Sequence, residues 1–275
     1  MKRLKTALLL TAFLPCFFSP ALAASETELL LDQAIAGNHR EAKNMERDVY
    51  RHPRETLLFF GLEANMTVVE IWPGGGWYTE ILAPVLRDQG RLYAASFAVN
   101  AKNTPGFRVE IERDYLKKLS QHPEIYGRII HTQLQAPEYV NIGPHGKADM
   151  VLTFRNVHNW VKDGNAEATF KAFYDVLKPG GILGVIDHRA KPGTPLQDMI
   201  RSGYVTEELV IGLAEGAGFK LAAKSEINAN PKDTKDHPKG VWTLPPMLRL
   251  GDQDQEKYLA IGESDRMTFK FVKPK

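Results

Sequence analysis

Residues 66–90 read MTVVEIWPGGGWYTEILAPVLRDQG. A short apolar run rich in Val meets three consecutive glycines, and a segment with Ile81, Leu82, Val85 and Leu86 at helical spacing follows and closes at Gly90. The apolar run predicts a buried strand over 66–72, and the spacing predicts a helix after the glycines. Glycine takes positive φ without steric cost and lets another group approach the backbone closely. A glycine triplet between a strand and a helix therefore marks a tight turn or a cradle. A helix that leaves a strand this way must pack back onto the sheet, which commits the chain to an α/β architecture.

The same alternation continues. Strands are expected at 91–98, 127–134, 182–188, 219–227 and 266–274, with another over 148–160 that runs into a polar loop. Helices are expected at 108–120, 166–177 and 206–218, the middle one stopped by Lys178-Pro179-Gly180-Gly181. The pattern predicts a doubly wound, mostly parallel seven-stranded sheet, Rossmann-like, with an antiparallel pair at one edge. Before it, residues 24–65 read as an N-terminal cap of one or two helices, turning at His52–Pro53. Arg47, Asp48, Arg51, His52 and Arg54 read as a solvated charged face that could fold over a pocket as a lid. Residues 66–275 form the main domain, in which 228–262 is too apolar for a disordered linker and reads as an ordered excursion.

Residues 1–23 have the order of a secretory signal peptide: Lys2, Arg3 and Lys5, an apolar stretch from Ala7 to Phe18, then Pro20 and Ala21-Leu22-Ala23. That stretch is shorter than the ~20 residues of a membrane span. Cleavage after Ala23 would leave a periplasmic or secreted protein without a stable membrane anchor. Such a chain keeps 32 Lys and Arg against 33 Asp and Glu, and no cysteine, since Cys16 leaves with the signal. The charge balance argues against a nucleic-acid partner. The missing cysteines mean that the core must hold without disulfides. No Gly-x-x-x-x-Gly-Lys-Ser/Thr loop, His-Glu-x-x-His pair or cysteine pair occurs, so no metal site is expected.

VVEIWPGGG after the first strand, ADMVLTF at the fourth and VLKPGGILGVIDH into the fifth together resemble class I S-adenosylmethionine-dependent methyltransferases over Met66 to the C-terminus. With the leader, the chain looks like an exported branch of that superfamily. The resemblance implies S-adenosyl-L-methionine as cofactor. It implies a cofactor cradle opened by Glu70 and built by Trp72, Pro73, Gly74, Gly75 and Gly76, with Ser96, Gln135, Arg155 and Asn156 as further contacts. Three features depart from the family pattern. Trp72 stands where a glycine is usual, Ser96 where an acidic residue holds the ribose, and Gln133 and Gln135 where an acidic residue often meets the adenine. In doubly wound sheets ligands bind beyond the carboxyl ends of the strands. That rule selects His158, Asp187 and His188 as candidate acid–base residues, with Arg155 or Arg189 to hold an anionic substrate. Trp77 and Tyr78 read as pocket wall. The implied activity is methyl transfer to a small molecule or an envelope component. Trp72 and Ser96 favour the alternative, a degenerate methyltransferase fold serving as a periplasmic ligand-binding module. A hydrolase or isomerase built on Asp187 and His188 would need a nucleophile that the sequence does not identify.

Overall fold

The computed structural model describes residues 24–102 and 104–275. The signal peptide expected at 1–23 lies outside the described residues. In chain order the elements are α1 (Glu26–Ile35), α2 (Ala42–Met45), α3 (Asp48–Arg51), α4 (Pro53–Phe60), β1 (Thr67–Ile71), α5 (Thr79–Leu86), β2 (Arg91–Phe97), α6 (Gly106–Gln121), α7 (Pro123–Tyr126), β3 (Ile130–Leu134) and β4 (Ala148–Phe154). There follow α8 (Val157–Asp163), α9 (Ala166–Val176), β5 (Leu177–His188), α10 (Leu196–Ser202), α11 (Glu207–Gly216), β6 (Lys220–Ser225), a 3-10 turn at Gly240–Thr243, α12 (Gln255–Ile261) and β7 (Arg266–Val272).

The seven strands form one sheet in the order β3-β2-β1-β4-β5-β7-β6. All neighbours are parallel except those of β7, which runs antiparallel to β5 and β6. The mostly parallel, doubly wound sheet expected from the sequence is therefore present. The last strand lies inside the sheet and β6 takes the edge, which explains why β6 alternates between half-buried and exposed positions. Successive side chains of a strand point to opposite faces, and β1 uses both. Val68 packs with Leu31, Leu57, Phe60 and Ile81 on one face, and Val69 packs with Phe170, Phe173 and Phe269 on the other.

Several expectations need correction. The region before β1 holds four helical segments rather than one or two. Residues after β4, expected to form a polar loop, coil into α8, and α10 was not foreseen at all. Both helices have seven residues, too few to establish a helical period. Lys178–Gly181 stop α9 as expected but belong to β5, tied to the β7 end by Gly180 N–H to Lys273 O at 2.8 Å and Lys273 N–H to Gly181 O at 2.9 Å. Among the described residues no helix is long and apolar enough to cross a membrane.

Candidate functional site

β1 ends in a tight turn. Gly76 N–H donates to Pro73 O at 3.0 Å, and Glu80 N–H to Gly76 O at 3.0 Å opens α5. Gly74 and Gly76 have φ of 60° and 80°. A Cβ at Gly76 would sit 3.1 Å from the Tyr115 ring, whereas one at Gly74 or Gly75 would meet nothing within 4 Å. Gly76 is thus needed for packing, and Gly74 and Gly75 face open space. That space is a cavity of about 190 Å³ at the carboxyl ends of β1 and β4. Glu70, Trp72, Pro73, Gly74 and Gly75 form one side, and Phe154, Arg155 and Asn156 another. Trp77 and Tyr78 form a wall, and Asn44, Arg47 and Arg51 close it from the N-terminal helices. Glu70 is 1% exposed and accepts from Thr79 Oγ1 at 2.7 Å. Burial pushes its carboxyl up to about 7 despite that bond and Lys118.

Trp72 has φ of 46°, a left-handed conformation costly for a side chain of its size. Its indole is buried. It donates Nε1–H to Leu134 O at 3.0 Å, packs 4.9 Å from Phe97 and 5.3 Å from Trp160 between ring centroids, and lies under the Arg108 guanidinium at 4.6 Å. Arg108 is in turn held by Asp163 at 2.8 Å. The indole therefore fills the space between the ends of β1, β2 and β3. Ser96 is fully buried with its hydroxyl on Glu112, which also contacts His131 at 2.6 Å, and it does not line the cavity. Gln135 lies outside the cavity too, bridged to Tyr139 through its backbone. Ser96 and Gln135, expected as cofactor contacts, are thus turned to other partners, the hydroxyl to Glu112 and the glutamine backbone to Tyr139.

At the ends of β4 and β5 a second cluster is buried. Asp187 accepts from His158 N at 3.0 Å, His158 Nδ1 at 3.0 Å and His188 N at 2.7 Å. The carboxylate fixes the proton on His158 Nδ1 and leaves Nε2 with its lone pair, the arrangement a general base requires. His188 Nδ1 lies 2.5 Å from Ser264 Oγ. Burial holds the His188 imidazole well below its usual range, and His158, Arg155, Arg266 and Arg51 add to the effect. One ligand atom from each of His158, Asp187 and His188 lies within 4.8 Å of the others. Three N–H donors already occupy the Asp187 carboxylate. The three candidate acid–base residues thus come together, beside the cavity rather than among its lining.

Arg189 is removed as a substrate anchor. It is paired with Glu207, Glu226 and Asp265 at 2.7–3.1 Å, which raises its already high pKa further. Of the N-terminal arginines expected on a solvated face, Arg54 is on the surface, 39% exposed, but Arg51 is buried and Arg47 mostly covered. Arg51 has only 2% of its side chain exposed and, with Arg47 and Arg266, surrounds Glu263. Nothing local in the sequence links Arg51 to a carboxylate 212 residues later. Trp77 Nε1–H to Asn44 O at 2.8 Å and Asn44 Nδ2 to Glu80 Oε1 at 2.9 Å complete the docking of these helices over the cavity.

No family model matches the chain, and no curated protein matches it in sequence. Solved structures do match in shape. An S-adenosylmethionine-dependent methyltransferase from Aquifex aeolicus aligns with a TM-score of 0.55 at 16% identity, over 83% of this chain and 93% of its own. A putative sarcosine dimethylglycine methyltransferase from Galdieria sulphuraria aligns with 0.56 at 13%, over 85% and 87%. The [4+2]-cyclase SpnF aligns with 0.55 at 14%, over 87% and 85%. The chain therefore has a methyltransferase-like Rossmann fold. One of these structures is a cyclase, so the fold by itself does not fix the chemistry.

Proposed function

We propose that the protein transfers a methyl group from S-adenosylmethionine to a small acceptor. The observation that carries this reading is the open backbone at Gly74 and Gly75, at the carboxyl end of β1 in a methyltransferase-like fold. The fit to the cofactor is divided. The glycine loop and the α5 amides suit the aminocarboxypropyl end, while Trp72 fills the space an adenosine would need and Ser96 is engaged with Glu112. When bound, the group supplies a methyl already activated by a sulfonium, so the protein mainly has to align the acceptor. In this reading His158, oriented by Asp187 beside the cavity, receives a proton at Nε2 from an acceptor that loses one. The test is calorimetric titration of residues 24–275 with S-adenosylmethionine and S-adenosylhomocysteine. Micromolar binding, lost in Gly75→Leu, is the expected result. Absence of heat and of thermal shift at millimolar cofactor would reject methyl transfer.

Trp72 supports a second reading, in which the fold holds another small ligand and transfers nothing. We also propose export through the leader at 1–23. A mature N-terminus at Ala24, found by mass spectrometry of the envelope fraction, checks that proposal.

A further inference from the structure

The cavity wall carries more positive charge than the protein neutralises. Arg47, Arg51 and Arg266 share one carboxylate, Glu263, at 2.6, 3.3 and 3.1 Å. Arg266 is otherwise satisfied, donating to Ser264 O at 3.1 Å and Tyr50 O at 2.9 Å. Arg47 and Arg51 are not: each has a buried Nη2 with no hydrogen-bond partner. Arg155, half-buried and also lining the cavity, makes no side-chain hydrogen bond or ion pair among the described residues. Its backbone sits at φ 63°, and left-handed strain in a non-glycine residue recurs at ligand sites. Four guanidiniums thus face one carboxylate. Burial together with Arg47 and Arg266 pushes the Arg155 pKa down to about 10 against the pull of Glu263, and burial with Arg155 lowers that of Arg51. Glu70, the acid on the cavity wall, is held up near 7 by its own burial and is only partly ionised at neutral pH.

The buried orphan Nη2 atoms of Arg47 and Arg51 are costly, Arg155 is half-buried beside them, and guanidinium is the group that best matches carboxylate and phosphate oxygens. We infer that this cavity is an oxyanion site. Arg51 and Arg155, with Arg47 at the rim, bind the carboxylate or phosphate group of a small molecule, whose body rests on Tyr78 and Phe154. Those two rings stack on each other at 3.5 Å and both line the cavity, giving it an apolar aromatic side. The volume of about 190 Å³ accommodates a compact anionic group. This deepens the proposed function by giving the charge of the molecule acted upon. It is tested without S-adenosylmethionine, so it can fail or succeed independently of methyl transfer.

The experiment titrates residues 24–275 in a chloride buffer of low ionic strength with inorganic phosphate, acetate and benzoate, by calorimetry and by thermal shift. Wild type is expected to bind at least one of them saturably and to melt at higher temperature with it. Arg155→Gln should weaken that binding tenfold or more. Because Arg155 has no partner, the same variant should melt no lower than wild type without anion, whereas a merely structural arginine would lower the melt. Arg51→Gln should also lose the anion response. Preference for phosphate over both carboxylates assigns a phosphoryl ligand, and the reverse assigns a carboxylic acid. No saturable binding of any of the three, or binding unchanged in Arg155→Gln, overturns the inference.

Discussion

Replacing Trp72 with glycine should do what large-to-small substitutions in a buried site rarely do, and increase affinity for a ligand. In the native protein the indole gives one hydrogen bond to Leu134 O, two ring contacts with Phe97 and Trp160, and a cation–π contact with Arg108. The hydrogen bond is worth ~1 kcal/mol net. Each ring contact is worth ~1 kcal/mol, and the partly buried cation–π contact ~1 kcal/mol. S-adenosylmethionine would have to displace all four, at a cost on the order of 4 kcal/mol, or roughly a thousandfold in Kd. Trp72→Gly removes that cost. It also relieves a left-handed tryptophan at φ 46°, a relief of about 1 kcal/mol. Against this stands the vacated volume, which destabilises by ~3–5 kcal/mol. The variant should therefore melt lower than wild type, bind S-adenosylmethionine one hundred to one thousand times more tightly, and recover stability as the ligand fills the void. Calorimetry and thermal shift on residues 24–275 measure both effects. A folded variant, cooperative in its melt, that binds the cofactor no better than wild type would refute the reasoning, because the indole would then not be what limits access.

Glu70→Gln keeps an acceptor for Thr79 and removes a carboxyl whose folded pKa is raised to about 7 from 4.5. A raised carboxyl keeps its proton in the folded state after the unfolded chain has lost it, so native stability falls as pH rises from about 4.5 to 7. Urea denaturation should show the variant more stable than wild type at pH 8, by on the order of 3 kcal/mol, with little difference at pH 4; a difference independent of pH would contradict the assignment. Glu263→Gln strips the shared carboxylate from Arg47, Arg51 and Arg266 and should lower stability at neutral pH by ~3–5 kcal/mol. The arginines hold the Glu263 carboxyl far below its usual range against burial, so this stabilisation is present above about 4.5 and fades as pH falls below it; the gap between variant and wild type in urea melts should narrow in acid. Asp187→Ala orphans the buried amides of His158 and His188 together with His158 Nδ1, and should cost about 3–5 kcal/mol in the same assay. A loss below ~1 kcal/mol would show that those groups find other partners.

The sequence alone determined the elements whose cause is local. A Val-rich run before three glycines and a helical period after them specify β1, the turn and α5, because strand burial, positive φ and helix spacing are each written within a few residues. Repetition of that unit then leaves few ways to wind a parallel sheet. Asp187 and His188 could likewise be placed at a strand end, where ligands bind in such sheets. Tertiary structure alone decided what the long side chains do. It turned Trp72 under Arg108 and against Phe97 and Trp160, set Ser96 on Glu112, consumed Arg189 in ion pairs, and brought Arg47 and Arg51 from a stretch that reads as solvated surface onto Glu263. A charged side chain on a short helix carries no local mark of the partner it will meet, since its energy depends on which groups the fold places beside it in low dielectric. The physical reason is range: backbone preference acts over a turn or a strand, whereas burial and charge are settled only when distant segments meet.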